Sequence, residues 1–290
     1  MVCKLFFIDE LLKIHTQTLI HHIMNIKIWT QSKKAEKKNW AFFALVAIFF
    51  TTLSIINTAV HAQVKNIVMV HGAYADGSGW EGVYKILKSK GYNVTIVSNA
   101  DMSLTDDVAL TRSVLALQKG PVILVGHSYG GAVITQAGDT SNVAGLVYVS
   151  AFAPDAGESL LSMLKAGPPN PEAGFLPPVN GLIWYDKAKF HKDFCPDLSV
   201  AQAEFMADSQ IPLGLAAFTT PLTVAAWKTK PSWFIVSTED RMIPPDAERG
   251  MAKRAGSKVT EIKASHVAFI SHPEEVAAVI EEAAKNAVKN

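Results

Sequence analysis

Pro121-Val122-Ile123-Leu124-Val125 leads straight into Gly126-His127-Ser128-Tyr129-Gly130, and Gly131 to Gly138 (GAVITQAG) follows. The five leading residues have the unbroken apolar pattern of a buried strand, and the trailing eight suit a helix. The pentapeptide between them has the form G-x-S-x-G. A serine on so sharp a strand-to-helix turn sits in a strained backbone conformation. Its hydroxyl is raised above the sheet, beside the first amides of the helix. Glycines two before and two after it leave room for the turn. Ser128 is therefore the candidate nucleophile.

A serine hydroxyl is a weak nucleophile near neutral pH and needs a base within hydrogen-bond reach. His266, in Ala264-Ser265-His266-Val267, follows the last strand pattern, Lys258 to Ile262, where a loop can bring an imidazole over Ser128. Among the other histidines, His127 adjoins the nucleophile and should point elsewhere. His71 should shape the loop after the first strand, His272 precedes Pro273 as a helix-entry residue, and His191 falls in an insertion. The base needs an acid to fix its tautomer and stabilise its cation. Asp240 follows the strand Ser232 to Val236 (SWFIV); Glu239 beside it and Asp155 after the preceding strand are the rivals. A developing oxyanion needs two aimed backbone donors. The amide of Tyr129 and that of Ala73, in His71-Gly72-Ala73-Tyr74, are the candidates.

Further out, strand-length apolar runs alternate with helical patterns. Strands are expected at Lys65–Val70, Asn93–Val97, Pro121–Val125, Val143–Ser150, Ser232–Val236 and Lys258–Ile262. Helices are expected at Trp80–Lys90, Ser103–Gln118, from Tyr129, and Pro273–Val288, with Asp106 and Asp107 favouring the dipole of the second. Such alternation implies an α/β fold with a mostly parallel sheet covered by helices on both faces. Residues 155–228 interrupt it: first rich in Pro and Gly, then helical and strongly apolar. They are read as a cap over the site, inserted before the strand that carries the acid. Residues 63–154 and 229–290 make the core.

Four stretches, VHGAYADGSGW, GHSYGG, STEDRMIPP and ASHVAFISHP, together resemble the α/β-hydrolase superfamily. They look most like small bacterial hydrolases related to the plant methylesterase and hydroxynitrile-lyase group. The resemblance runs from Lys65 to the C-terminus. It implies an α/β-hydrolase fold, a helical cap, the chain order Ser128, Asp240, His266, and no metal or organic cofactor. The lyase branch has a threonine after the first-strand histidine and a lysine after the catalytic histidine. Gly72 and Val267 stand there, which favours ester hydrolysis.

The first 62 residues read as targeting sequence. Lys33, Lys34, Lys37 and Lys38 precede a 17-residue uncharged run, Trp40 to Ile56, and Val60-His61-Ala62 offers a cleavage site before Gln63. That order is a secretory signal peptide, with a retained membrane anchor as the alternative because the run reaches the lower limit for spanning. Met24 gives a signal of more ordinary length and is read as the start, so His15, His21 and His22 are not read as a metal site. After cleavage, 20 basic and 23 acidic side chains leave a net charge of −3. That excludes a basic footprint for nucleic acid. Cys195 would be the sole remaining cysteine, as suits an oxidising compartment. The expectation is an exported, periplasmic or secreted serine hydrolase acting on a small or medium hydrophobic ester, with no stable membrane contact. A carbon–carbon lyase and a ligand-binding receptor on the same scaffold are the alternatives.

Overall fold

A computed structural model describes residues 63–167 and 172–287. The segment read as targeting sequence, and Cys3 with it, lie outside the described residues. Six strands, β1 (Asn66–Val70), β2 (Asn93–Val97), β3 (Val122–His127), β4 (Val143–Val149), β7 (Ser232–Ser237) and β8 (Lys258–Ile262), form one parallel sheet in the order β2-β1-β3-β4-β7-β8. The central four are buried almost end to end, which is why they read as continuous apolar runs. The edge strands β2 and β8 keep exposed positions.

Each core helix is set by a local signal. A 3₁₀ turn at Gly77–Trp80, capped by Asp76, precedes α1 (Glu81–Ser89), so Trp80 closes that turn instead of opening the α-helix. Ser103 caps α2 (Leu104–Ala116) by accepting from the Asp106 amide. The helix after Ser128 is α3 (Tyr129–Ala137). The closing helix α10 (Pro273–Asn286) takes Pro273 in its first turn, where a missing N–H costs nothing. In the fold α2 packs with α3, and α10 returns beside α1.

Residues 155–228 hold α4 (Leu160–Ala166), α5 (Lys187–Phe194), α6 (Val200–Asp208) and α7 (Leu215–Thr219). They also hold an antiparallel pair, β5 (Leu182–Ile183) with β6 (Leu213–Gly214). The sequence pattern shows the helices but not this pair, because two-residue strands have no periodicity to detect. Two further helices, α8 (Pro245–Arg254) and α9 (Ala268–Ser271), flank β8.

The chain runs from β1 out to β2 and returns to β3 on the other side of β1. Val70 and Gly126, near the ends of β1 and β3, are therefore paired neighbours. This reversal is the switch point of an open α/β sheet, where ligands bind beyond the carboxyl ends of strands. It sets the loop after β1 beside Ser128.

Candidate active site

Ser128 has φ 52° and ψ −121°, a backbone conformation that L-residues rarely adopt. The turn is held by Ser128 itself: its amide donates to the Val149 carbonyl, and its carbonyl accepts from Gly131 and Phe152. The flanking glycines are required by space. A Cβ on Gly130 would lie 2.6 Å from the His71 carbonyl oxygen, and one on Gly126 would lie 2.5 Å from that of Gly130. Gly72 is equally constrained, since its Cβ would come within 2.5 Å of the Ser128 Cβ. The threonine of the lyase branch has no room at that position.

The imidazole of His266 lies between the other two candidates. Its Nε2 is 2.8 Å from Ser128 Oγ, and its Nδ1 is 2.6 Å from Asp240 Oδ2. An ionised carboxylate only accepts, so Nδ1 carries the hydrogen and Nε2 is left as the acceptor for the serine hydroxyl. Asp240 is aimed by its own loop, with Oδ1 accepting the amides of Met242 at 2.7 Å and Ile243 at 2.9 Å. All three residues are buried. The rival acids lie elsewhere: Asp155 pairs with Lys228 and Glu239 with Lys263.

The other histidines have separate partners. His127 is buried, and its Nε2–H donates to the backbone carbonyl of His266 at 2.9 Å. Burial holds its pKa well below the usual histidine value, and the neighbouring His266 adds to this. It therefore fixes the His266 backbone as a neutral group. His71 donates from Nδ1 to the Gly72 carbonyl at 3.1 Å, within the loop it was expected to shape. His191 meets the Leu198 carbonyl, and His272 lies at the N-terminus of α10. The His266 ring is flanked by His127 and, edge-on, by Phe194.

Tyr129 opens α3, so its amide is one of the first-turn donors that have no acceptor within the helix. Ala73, Ser128 and Tyr129 share the wall of a cavity of about 40 Å³, whose other walls include Leu160, Phe175 and Phe218 of the inserted segment. An apolar cleft of about 320 Å³, lined by Leu198, Phe205, Met206 and Ile270, has Tyr74 in common with it.

Three carboxylates near the site were not assigned to it by the sequence reading. Asp197 accepts from the Ser265 amide at 2.9 Å, the Ser265 hydroxyl at 2.5 Å and the Ser271 hydroxyl at 2.8 Å, tying the inserted segment to the residue before His266. Asp107 accepts the Tyr129 hydroxyl at 2.7 Å. Glu248 is buried beneath Asp240.

Residues 67–279 match the family model described as the alpha/beta hydrolase family. The chain belongs to this family. Among curated relatives of this alpha/beta hydrolase is a carbendazim hydrolyzing esterase of Nocardioides sp., 29% identical over 73% of the chain and 96% of that esterase. A pyrethroid hydrolase of Sphingobium wenxiniae is 29% identical over 75% of the chain and 86% of its own length. Methylesterase 7 of Arabidopsis thaliana is 28% identical over 76% and 96%. A solved pyrethroid hydrolase from Sphingobium faniae superposes with a TM-score of 0.66 at 23% identity, covering 77% of the chain and 98% of that structure. The relatives place the alpha/beta hydrolase beside the methylesterase group, as a hydrolase of carboxylesterase type.

Proposed function

We propose that the protein cleaves a hydrophobic carboxylic ester through an acyl-enzyme on Ser128. His266 takes the serine proton as Oγ attacks the carbonyl, and Asp240 stabilises the imidazolium. The amides of Ala73 and Tyr129 hold the oxyanion. His266 then protonates the departing alcohol, and water attacks the acyl-enzyme with the same base in reverse. The observation that carries this reading is the position of His266, 2.8 Å from the serine hydroxyl and 2.6 Å from the carboxylate. Relatives named for hydrolysing carbendazim and pyrethroids, and the methylesterases, support an ester-cleaving role.

The cavity at Ser128 supports a short acyl group, since its volume of about 40 Å³ is a small fraction of the about 320 Å³ of the cleft beyond Tyr74. The rest of a medium-sized ester then lies outside, and the apolar cleft beyond Tyr74 offers room for an apolar alcohol. Kinetics on two ester series test this, one lengthened on the acyl side and one on the alcohol side. Activity should fall steeply with acyl length and tolerate alcohol length; equal tolerance of both contradicts the assignment. Asp240→Asn should lower kcat by about 10⁴-fold, and Asp155→Asn far less.

Export is part of the same proposal. It rests on the lysine cluster, the apolar run and Val60-His61-Ala62. Among the described residues no helix is long and apolar enough to cross a membrane. Expression in a Gram-negative host should yield periplasmic protein beginning at Gln63. Recovery of the full-length chain with membranes defeats cleavage.

A further inference from the structure

Glu248 lies in the first turn of α8 and exposes no surface at all. Its Oε2 accepts the amide of Ser237 at 3.1 Å, and the Ser237 carbonyl in turn accepts the amide of Asp240 at 3.1 Å. Its Oε1 meets no donor among the described residues, while Ser237, which donates to Glu248 and accepts from Asp240, holds the two acids side by side, and each acts on the other. Two buried carboxyl groups that close do not both ionise. The donors decide which one keeps the charge. Asp240 receives two backbone amides and the His266 Nδ1–H, whereas Glu248 receives one amide. The proton therefore belongs on Glu248, where it turns the orphaned Oε1 into a donor.

We propose that Glu248 is a positioning residue of the site: as a neutral acid it donates a hydrogen bond to Asp240 and so holds that carboxylate under His266. The proposal rests on the triad reading above. Among the described residues, no other charge acting on Glu248 competes for the role. Arg249, next to it on α8, is committed to Asp246 and Glu261. Ser237, at the end of β7, and Ser150, just past β4, have hydroxyls bonded to each other at 2.6 Å, and Met251 of α8 accepts the Ala153 amide through its sulfur. Beyond Asp240 stands His266. Burial, then the charge of Asp240, pushes the Glu248 carboxyl well above the usual carboxylate range, in agreement with the donor count. The bond draws charge from Asp240 and so moderates its pull on the imidazolium.

Two variants and one spectrum test this. Glu248→Gln keeps a donor facing Asp240, so the acid limb of the kcat/KM profile should stay in place. Glu248→Leu removes the donor and leaves Asp240 more basic. Its acid limb should rise by up to about one pH unit, since a hydrogen bond to a charged group is worth roughly one to two such units and only part is transmitted. The native-minus-Glu248→Gln infrared difference spectrum should hold the carbonyl band of a protonated acid, over and above that of Asp101, a readout that needs no turnover and no folded leucine variant. A downward shift of the limb in Glu248→Gln means Glu248 was ionised, and overturns the proposal. So does an absent band, or a limb unmoved in both variants. Failure of the triad itself shows differently, as full activity in Asp240→Asn.

Discussion

Asp107 on α2 accepts the hydroxyl hydrogen of Tyr129 at 2.7 Å, so the residue after Ser128 is anchored through its ring as well as its backbone. Asp107 also accepts the backbone amides of Ala100, at 3.2 Å, and Asp101. Tyr129→Phe leaves a buried carboxylate short of one partner. That should cost about 1–3 kcal/mol, or about 2–4 °C of Tm per kcal/mol in a domain of this size. Ser128 labelling by a fluorophosphonate should persist, because the amide assigned to the oxyanion hole remains. A Tm equal to the parent's removes the anchor from the account.

Gly72→Ala tests the crowding at the switch point. The new Cβ would sit 2.5 Å from the Ser128 Cβ and 2.8 Å from the His127 carbonyl oxygen. Either the β1 loop or Ser128 must move. A displacement near 1 Å costs about 10²-fold in rate, so kcat should fall at least that far while circular dichroism stays native. A variant with undiminished kcat would show that the loop yields freely.

Asp101 supplies a pH test. It is buried with φ 58°, accepts from the Asn99 side chain, and leaves Oδ2 without a donor. Burial, with the charge of Asp107 adding to it, raises its pKa well above the ordinary value. The folded protein therefore keeps this proton while the unfolded chain releases it above about pH 4. Stability from this group is complete below that pH and is lost as pH rises toward the folded pKa, at about 1.4 kcal/mol per unit. Asn tolerates the left-handed backbone and does not titrate. Urea unfolding of Asp101→Asn should show a gain over the parent that grows between pH 4 and 7. A gain independent of pH contradicts a protonated Asp101.

Much of this architecture is legible before any coordinates. The six strands announce themselves by apolar runs. Ser128, Asp240 and His266 could be picked out because each follows such a run, and all strands of a parallel sheet end on the same side. Asp107 was not legible in its role: at the start of a helix an acid reads as a dipole partner, and only the fold brings Tyr129 to it. Asp197 hides for the same reason. It is one carboxylate in a segment without strand or helix periodicity, and its partners Ser265 and Ser271 lie 68 and 74 residues away. Glu248 looks like an exposed residue in a charged helix, until the packing of α8 on β7 buries it. Local pattern finds residues at strand ends; it does not find groups paired across the core.

The proposed mechanism makes Ser128 the nucleophile, activated by the imidazole 2.8 Å away. Mass spectrometry of the protein after reaction with a fluorophosphonate tests it most directly. The account predicts a single adduct on the peptide carrying Ser128, absent in Ser128→Ala and in protein unfolded beforehand. In that variant kcat should drop by about 10⁴- to 10⁶-fold. An adduct on another residue, or full esterase activity in Ser128→Ala, contradicts the claim.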